Sequence, residues 1–282
     1  MRILYVIDFF YPHIGGVPTF FKNLIENVSK VGHNVEVVTT KINNSKSRDI
    51  LKGIKVYRFG KSRESFMLKA ALFLIKNSKK YDIVHTSTYS AIFPSYMFSL
   101  LKNVPKVLSV HEVWSLKEWN EFTNGKGPFY FTEERLLLSL PFDAYITPSY
   151  HTKKDLRKCG IDYSKIKVIP HGIDSSIFNP KMKNARKLIR RKYAIDDKEI
   201  IGCFVGKATV FKGINYLLDA LEKVLRKRKI RFIFVLSRLH ESGYKNFMKR
   251  VENSELLRKN IIVAESSSDH NFVSHIVAAS NF

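Results

Sequence analysis

The sequence predicts an α/β fold, with parallel sheets covered by helices in two successive domains, the second incomplete. Three observations predict it. Short apolar, β-branched-rich runs alternate with amphipathic helical stretches from the first residues onward. The alternation breaks at the turn-rich segment HGIDSSIFNP (171–180) and then restarts. The restarted half holds only about three strand-like runs before Phe282, where a doubly wound domain usually has five or six. The expected domains are therefore 1–170 and 171–282.

RILYVID reads as the first strand. Asp8 interrupts its apolar run and no small-residue cleavage site follows, so a signal peptide is the poorer reading. After Gly15 and Gly16, PTFFKNLIENVSKVG reads as a helix ending at Gly32. NVEVVTT is the next strand, and a polar loop rich in Asn, Ser and Lys leads to the strand GIKVYRF. MLKAALFLIKNSKK is helical, DIVHTST is a strand, and a helix follows around Tyr96 to Leu101. KVLSV and AYITPS are further strands. Beyond the linker the order is a helix at about 182–193, strand EIIGCFVG, helix KGINYLLDALEKVL, strand RFIFVLS, a helix near 243–254, strand NIIVAES and helix DHNFVSHIVAAS.

The chain has 282 residues, of which 45% are hydrophobic and 26% charged, an ordinary globular composition. No run approaches the ~20 apolar residues that span a bilayer. The two cysteines, Cys159 and Cys203, have no metal-ligand spacing and fit a reducing cytoplasm. Lys and Arg total 48 against 25 Asp and Glu, a net charge of +23. That excess concentrates in KMKNARKLIRRK (181–192) and KVLRKRKIR (223–231). Solvated helix faces and attachment to an anionic membrane surface both account for it. Nucleic acid is not an expected partner, because no helix-turn-helix, RNA-binding sheet motif or zinc finger accompanies the charge.

Three strand-to-helix loops carry candidate chemistry. In DFFYPHIGGVPTFFKNL, Gly15 and Gly16 precede a helix; glycine permits φ > 0 there and lets an oxygen-rich ligand near the backbone. The G-x-G-x-x-G dinucleotide fingerprint is absent. In LSVHEVW, His111 stands just past a strand end, where parallel sheets bind ligands. In FVGKATVFKGINYLLDAL, Gly206 and Lys207 end a strand, and Lys212 stands beside Gly213 at a helix start. Two ammonium groups there can neutralise a diphosphate. Taken singly, a tight turn, a hydrogen-bonded loop histidine and a loop with two solvated lysines are the better readings.

Taken together, GGVPTF, LSVHE, VIPHGIDSSIF and VGKATVFKGINYLLDAL resemble, in order and spacing, the retaining glycosyltransferases of the two-domain GT-B fold. The resemblance covers nearly the whole chain. It implies two Rossmann-like domains facing a cleft, and transfer of a sugar from a nucleoside diphosphate sugar to a glycan or lipid acceptor with retention of configuration. It implies that Gly15 and Gly16 touch the donor by backbone, that His111 lies beside the sugar ring, and that Lys212 binds the diphosphate. Lys207 stands where the family usually has arginine, so charge is kept and the bidentate fork is lost. No D-x-D motif is present; no metal and no cofactor beyond the donor substrate are expected. The acceptor is expected near the aromatic stretch from Trp114 to Phe131. The family's Glu-x7-Glu motif and last helix would lie past Phe282. The resemblance therefore also implies a truncated or split chain, a complementing C-terminal polypeptide, or a non-catalytic binding chain as the alternative. A cytoplasmic enzyme, peripheral on the inner membrane face, is the expected setting.

Overall fold

A computed structural model describes residues 1–13, 15–77, 79–123, 125–179, 182–237, 241–264 and 270–282. The chain forms two compact units, Met1–His171 and Gly172–Phe282. His171 is part of the first.

The first unit is built on an eight-stranded sheet in the order β3-β4-β2-β1-β5-β6-β7-β8. Its strands are β1 (Arg2–Ile7), β2 (Asn34–Thr40), β3 (Arg48–Leu51), β4 (Ile54–Phe59), β5 (Ile83–Ser87), β6 (Lys106–Ser109), β7 (Ala144–Thr147) and β8 (Ile166–Val168). β1 pairs in parallel with β2 and β5, with Ile3 opposite Val35 and Ile83. Five of its six residues are buried, because helices cover both of its faces. On one face Tyr5 and Ile7 meet Phe21 and Ile25 of α1 (Gly16–Lys30). On the other, Leu4 and Val6 meet Phe66, Ala70 and Leu74 of α2 (Arg63–Lys76) and Phe98 of α3 (Ile92–Lys102).

Several expectations change here. The polar loop before GIKVYRF contains β3, which pairs antiparallel with β4 across a turn at Lys52 and Gly53, both at positive φ. Buried Arg58 of β4 holds that edge: its guanidinium reaches Asp49 (3.3 Å), the Lys46 carbonyl (3.4 Å) and the Tyr11 carbonyl (2.8 Å). α2 begins four residues earlier than MLKAALFLIK suggests, because Ser62 caps it by accepting from the Ser65 amide. Three α-helices of this unit have no counterpart among the expected elements: α4 (Leu116–Thr123), α5 (Gly127–Leu138) and α6 (Tyr150–Lys158).

The second unit has a three-stranded parallel sheet, β11-β10-β9, from β9 (Ile200–Lys207), β10 (Ile230–Ser237) and β11 (Ile261–Ala264). The backbone of Asn281 and Phe282 bonds to the other edge of β9, at the Ile201 carbonyl (2.7 Å) and the Cys203 amide (2.9 Å). Its helices are α7 (Lys183–Lys192), α8 (Ile214–Leu225), α9 (Glu241–Asn253), α10 (Glu255–Asn260) and α11 (His270–Ala279). Glu265 and Ser266 of the expected strand, Asp269 of the expected last helix and Lys181 of the first basic cluster lie outside the described residues.

The basic clusters are not uniform charged faces. Arg190 is 2% exposed, and its guanidinium donates to the carbonyls of Asp196 and Glu199, tying the end of α7 to the start of β9. Arg231, on β10, donates to the Lys259 carbonyl at 2.9 Å.

Candidate functional site

The candidate residues lie at the carboxyl ends of the parallel strands, in two groups, one in each unit.

In the first unit, β1 runs out through Asp8 into the loop that reaches Gly15 and Gly16. The conformational reason expected for these glycines does not hold. Gly15 is extended (φ 176°), and Gly16 is already the first residue of α1, outside the positive-φ region. Packing does not demand them either: a methyl group built on Gly16 meets nothing within 4 Å, and one on Gly15 meets Pro18 at an ordinary 3.4 Å. No side chain caps α1 and no acid occupies its first turn, a feature of α3, α5 and α7 also. The amides of Gly16 and Val17, uncapped by any side chain, lie at the sheet's carboxyl edge, a position suited to anions, although Pro18 contributes no N–H.

The helix that starts at Gly16 also brings Phe20 and Phe21 against three histidines from distant parts of the chain. Phe21 meets His85 (5.6 Å between ring centroids) and His111 (5.8 Å) edge-on. Phe20 meets His111 edge-on at 5.2 Å and stacks on His171 at 4.4 Å. His111 Nδ1 lies 3.1 Å from His171 Nε2, a single shared hydrogen bond. His85 Nε2 lies 2.8 Å from Ser109 Oγ. His111 Nε2 is buried and has no protein partner among the described residues. Burial, with the neighbouring His171 second, holds His111 down to about 4. Burial, then His111, holds His85 down to about 4 as well. Both rings are neutral at pH 7, so His111 offers a hydrogen-bonding nitrogen rather than a charge.

A second cluster at the same edge was missed from sequence. Asp8 is 7% exposed and accepts a hydrogen bond from Ser90 Oγ. Burial raises its pKa, opposed by Arg63 and Ser90. The Arg63 guanidinium lies over the rings of Tyr89 (5.3 Å) and Tyr130 (5.8 Å). Glu134 accepts from the Trp119 indole N–H at 3.1 Å and the Trp114 amide at 3.4 Å, and its pKa too is raised first by burial. Trp119 stacks on Tyr130 at 5.4 Å and is itself buried, so it serves as packing for the stretch expected to meet the acceptor. The available signal was Asp8: a carboxylate ending an apolar strand at its carboxyl end is where parallel sheets put chemistry.

In the second unit, Gly206 and Lys207 are the last residues of β9. A single turn, Val210–Lys212, follows, and Gly213 at φ 66° opens α8. No side chain caps α8 and its first turn has no acid. Lys212 is exposed and Lys207 half-buried at this helix start. Strand end, two lysines and free helix amides thus share one loop, a combination that suits a phosphate-bearing ligand. Gly206 itself is close-fitting, since a Cβ there would meet the Phe204 ring at 3.3 Å. Among the described residues, no group of three or more His, Cys, Asp or Glu is arranged to hold a metal ion.

Comparison with known proteins gives this geometry a family. Residues 14–177, more than half of the chain, match Glycosyltransferase Family 4. An uncharacterized glycosyltransferase of Methanocaldococcus jannaschii is 26% identical over 247 residues, covering 83% of this chain. The chain spans 62% of that relative's length. Sucrose-phosphate synthase from Thermosynechococcus elongatus superposes with a TM-score of 0.80 at 16% identity, over all of this chain and 74% of its own. Anabaena HepE, in complex with UDP-glucose, gives 0.75 at 15% identity, over all of this chain and 72% of its own. The fold is that of the GT-B glycosyltransferases. No helix among the described residues is long and apolar enough to cross a membrane. With its sheets, its strand-end loops and its sequence match in agreement, the chain belongs to glycosyltransferase family 4.

Proposed function

We propose that this protein transfers a sugar from a nucleoside diphosphate sugar to a hydroxyl of a glycan or lipid, with retention of configuration. The observation that carries the reading is the pair of open strand-to-helix loops, at Gly15–Gly16 and at Gly206–Gly213, in a chain of this family. Lys207, Lys212 and the first amides of α8 take the donor's diphosphate and stabilise the charge that grows on it as the bond to the sugar breaks. His111 lies beside the sugar ring, and the backbone at Gly15 and Gly16 lies close to the donor. The Trp114–Phe131 segment lies on the acceptor's side, with Asp8 at the strand end beside it; aromatic rings next to a carboxylate suit a hydroxyl-rich ring. The donor is the only cofactor-like ligand in this reading, and the neighbour bound to UDP-glucose supports a nucleotide sugar. The two free cysteines suit the reducing side of a membrane, where the protein works as a peripheral enzyme.

The test is a thermal-shift screen of the full chain against UDP, ADP, GDP and their sugars. A ligand bound only by the folded state at a hundredfold excess over Kd adds about 2.7 kcal/mol. One nucleotide class should raise Tm, and Lys212→Ala, at an exposed position, should abolish that rise while leaving the unliganded Tm unchanged. In turnover the same substitution should cost on the order of 10²–10³ in kcat. A screen without a shift, or an unchanged shift in Lys212→Ala, overturns the assignment.

A further inference from the structure

A helix lying on a sheet normally turns apolar residues inward and polar residues to water. α1 obeys: its exposed residues are Gly16, Asn23, Asn27 and Lys30. α2 and α3, side by side on the opposite face of the sheet, do not. α2 buries Phe66, Ala70 and Leu74 against the strands, yet its outer side carries Leu68 (62% exposed), Leu72 (50%) and Ile75 (38%). These stand at i, i+4 and i+7, one continuous stripe. α3 buries Phe98 and exposes Phe93, Leu100 and Leu101, with Lys102 its one exposed polar residue. Six large apolar side chains on two adjacent helices make a larger patch than scattered surface residues do.

The charges around the patch say what covers it. Lys61, Lys69, Lys76, Lys80 and Lys102 are all exposed in these helices and the segments beside them, against exposed Glu64 and Asp82, while Lys79 is taken up by Glu36 (2.6 Å). Lysine is depleted from protein–protein interfaces, and leucine is under-represented among their hot spots, where Trp, Tyr and Arg lead. Leu, Ile and Phe bordered by Lys is instead the composition of an interfacial helix. The apolar chains enter the acyl boundary while the lysines snorkel to anionic headgroups.

We propose that the outer face of α2 and α3 docks on an anionic lipid surface. This surface is separate from the basic clusters at 181–192 and 223–231. The inference stands independently of the transferase reading, since its readout is lipid binding.

The test is co-sedimentation of the full chain with phosphatidylcholine vesicles, with and without phosphatidylglycerol. Binding should require phosphatidylglycerol and weaken as salt rises. The triple substitution Leu68→Ser, Leu72→Ser and Ile75→Ser should cut partitioning by about tenfold or more, with a lower Tm but a retained cooperative transition, because Phe66, Ala70 and Leu74 still hold the helix to the sheet. Lys69→Gln with Lys76→Gln should lower binding to phosphatidylglycerol vesicles by a smaller factor. Wild-type partitioning by the triple variant, equal binding to both vesicle types, or no binding at all overturns the proposal. So does a dimer that the triple substitution converts to monomer, which would make a second copy the occupant.

Discussion

Among single residues, the three histidines carry the most information. His85 and His111 are each held down to about 4 from 6.5, chiefly by burial. The sign follows directly. Between these values the unfolded chain binds protons that the folded chain refuses, so stability falls as pH drops from about 6.5 towards about 4. Each shift corresponds to on the order of 3 kcal/mol, and the two are coupled, so their sum is smaller than twice one. His85→Gln removes a titrating group and leaves an amide for Ser109. Its Tm should fall less steeply than the wild type's between neutral and mildly acidic buffer. A parallel fall in both proteins would show that other groups govern the acid limb. At the same scale, the buried Nε2 of His111 has no protein partner among the described residues, and a polar atom left so costs about 1–3 kcal/mol.

Among elements, the entry to α2 shows how a turn fixes a helix. Gly60 ends β4 at φ 59°, and a Cβ there would lie 2.3 Å from the Phe66 amide nitrogen and 2.6 Å from the Ser65 carbonyl carbon. Both obstacles are backbone and cannot swing aside. Gly60→Ala should therefore cost roughly 3 kcal/mol or more, combining clash with strained φ. Gly53, in the β3–β4 turn, also has positive φ (83°), but a Cβ there meets nothing within 4 Å. Gly53→Ala should cost only about 1 kcal/mol. Denaturant midpoints of the two variants give the comparison, and equal losses would refute the steric account. The same element scale explains the missed β3. Its RDIL sequence is half exposed and polar, and only pairing with β4 and the Arg58 anchor make it a strand.

At the scale of the whole molecule, a net charge of +23 repels itself. Raising ionic strength from about 0.01 M to about 0.1 M shortens the Debye length from roughly 30 to 10 Å. That screens repulsion between distant lysines while leaving buried contacts such as Arg190 with its carbonyls nearly untouched. Tm should therefore rise over this range without any specific ion. A Tm that falls would mean that attractive pairs, such as Arg250 with Asp219 and Glu222, outweigh the net repulsion.

The sequence by itself determined the layered α/β architecture, the strand ends and the loops at Gly15–Gly16, His111 and Lys207–Lys212. These depend on local periodicity and on glycine and proline punctuation, which act within a few residues. Only the tertiary structure decided what those loops meet. The shared bond of His111 and His171 joins residues 60 apart, and Asp8 reaches Ser90 across 82. Such pairs form because parallel strands distant in sequence end side by side, and no local pattern records that. Exposure was decided in the same way. α2 is apolar on both sides, so its period does not say which stripe the sheet takes, and Arg190 sits in a basic run that reads as solvated until its carbonyl partners are in place.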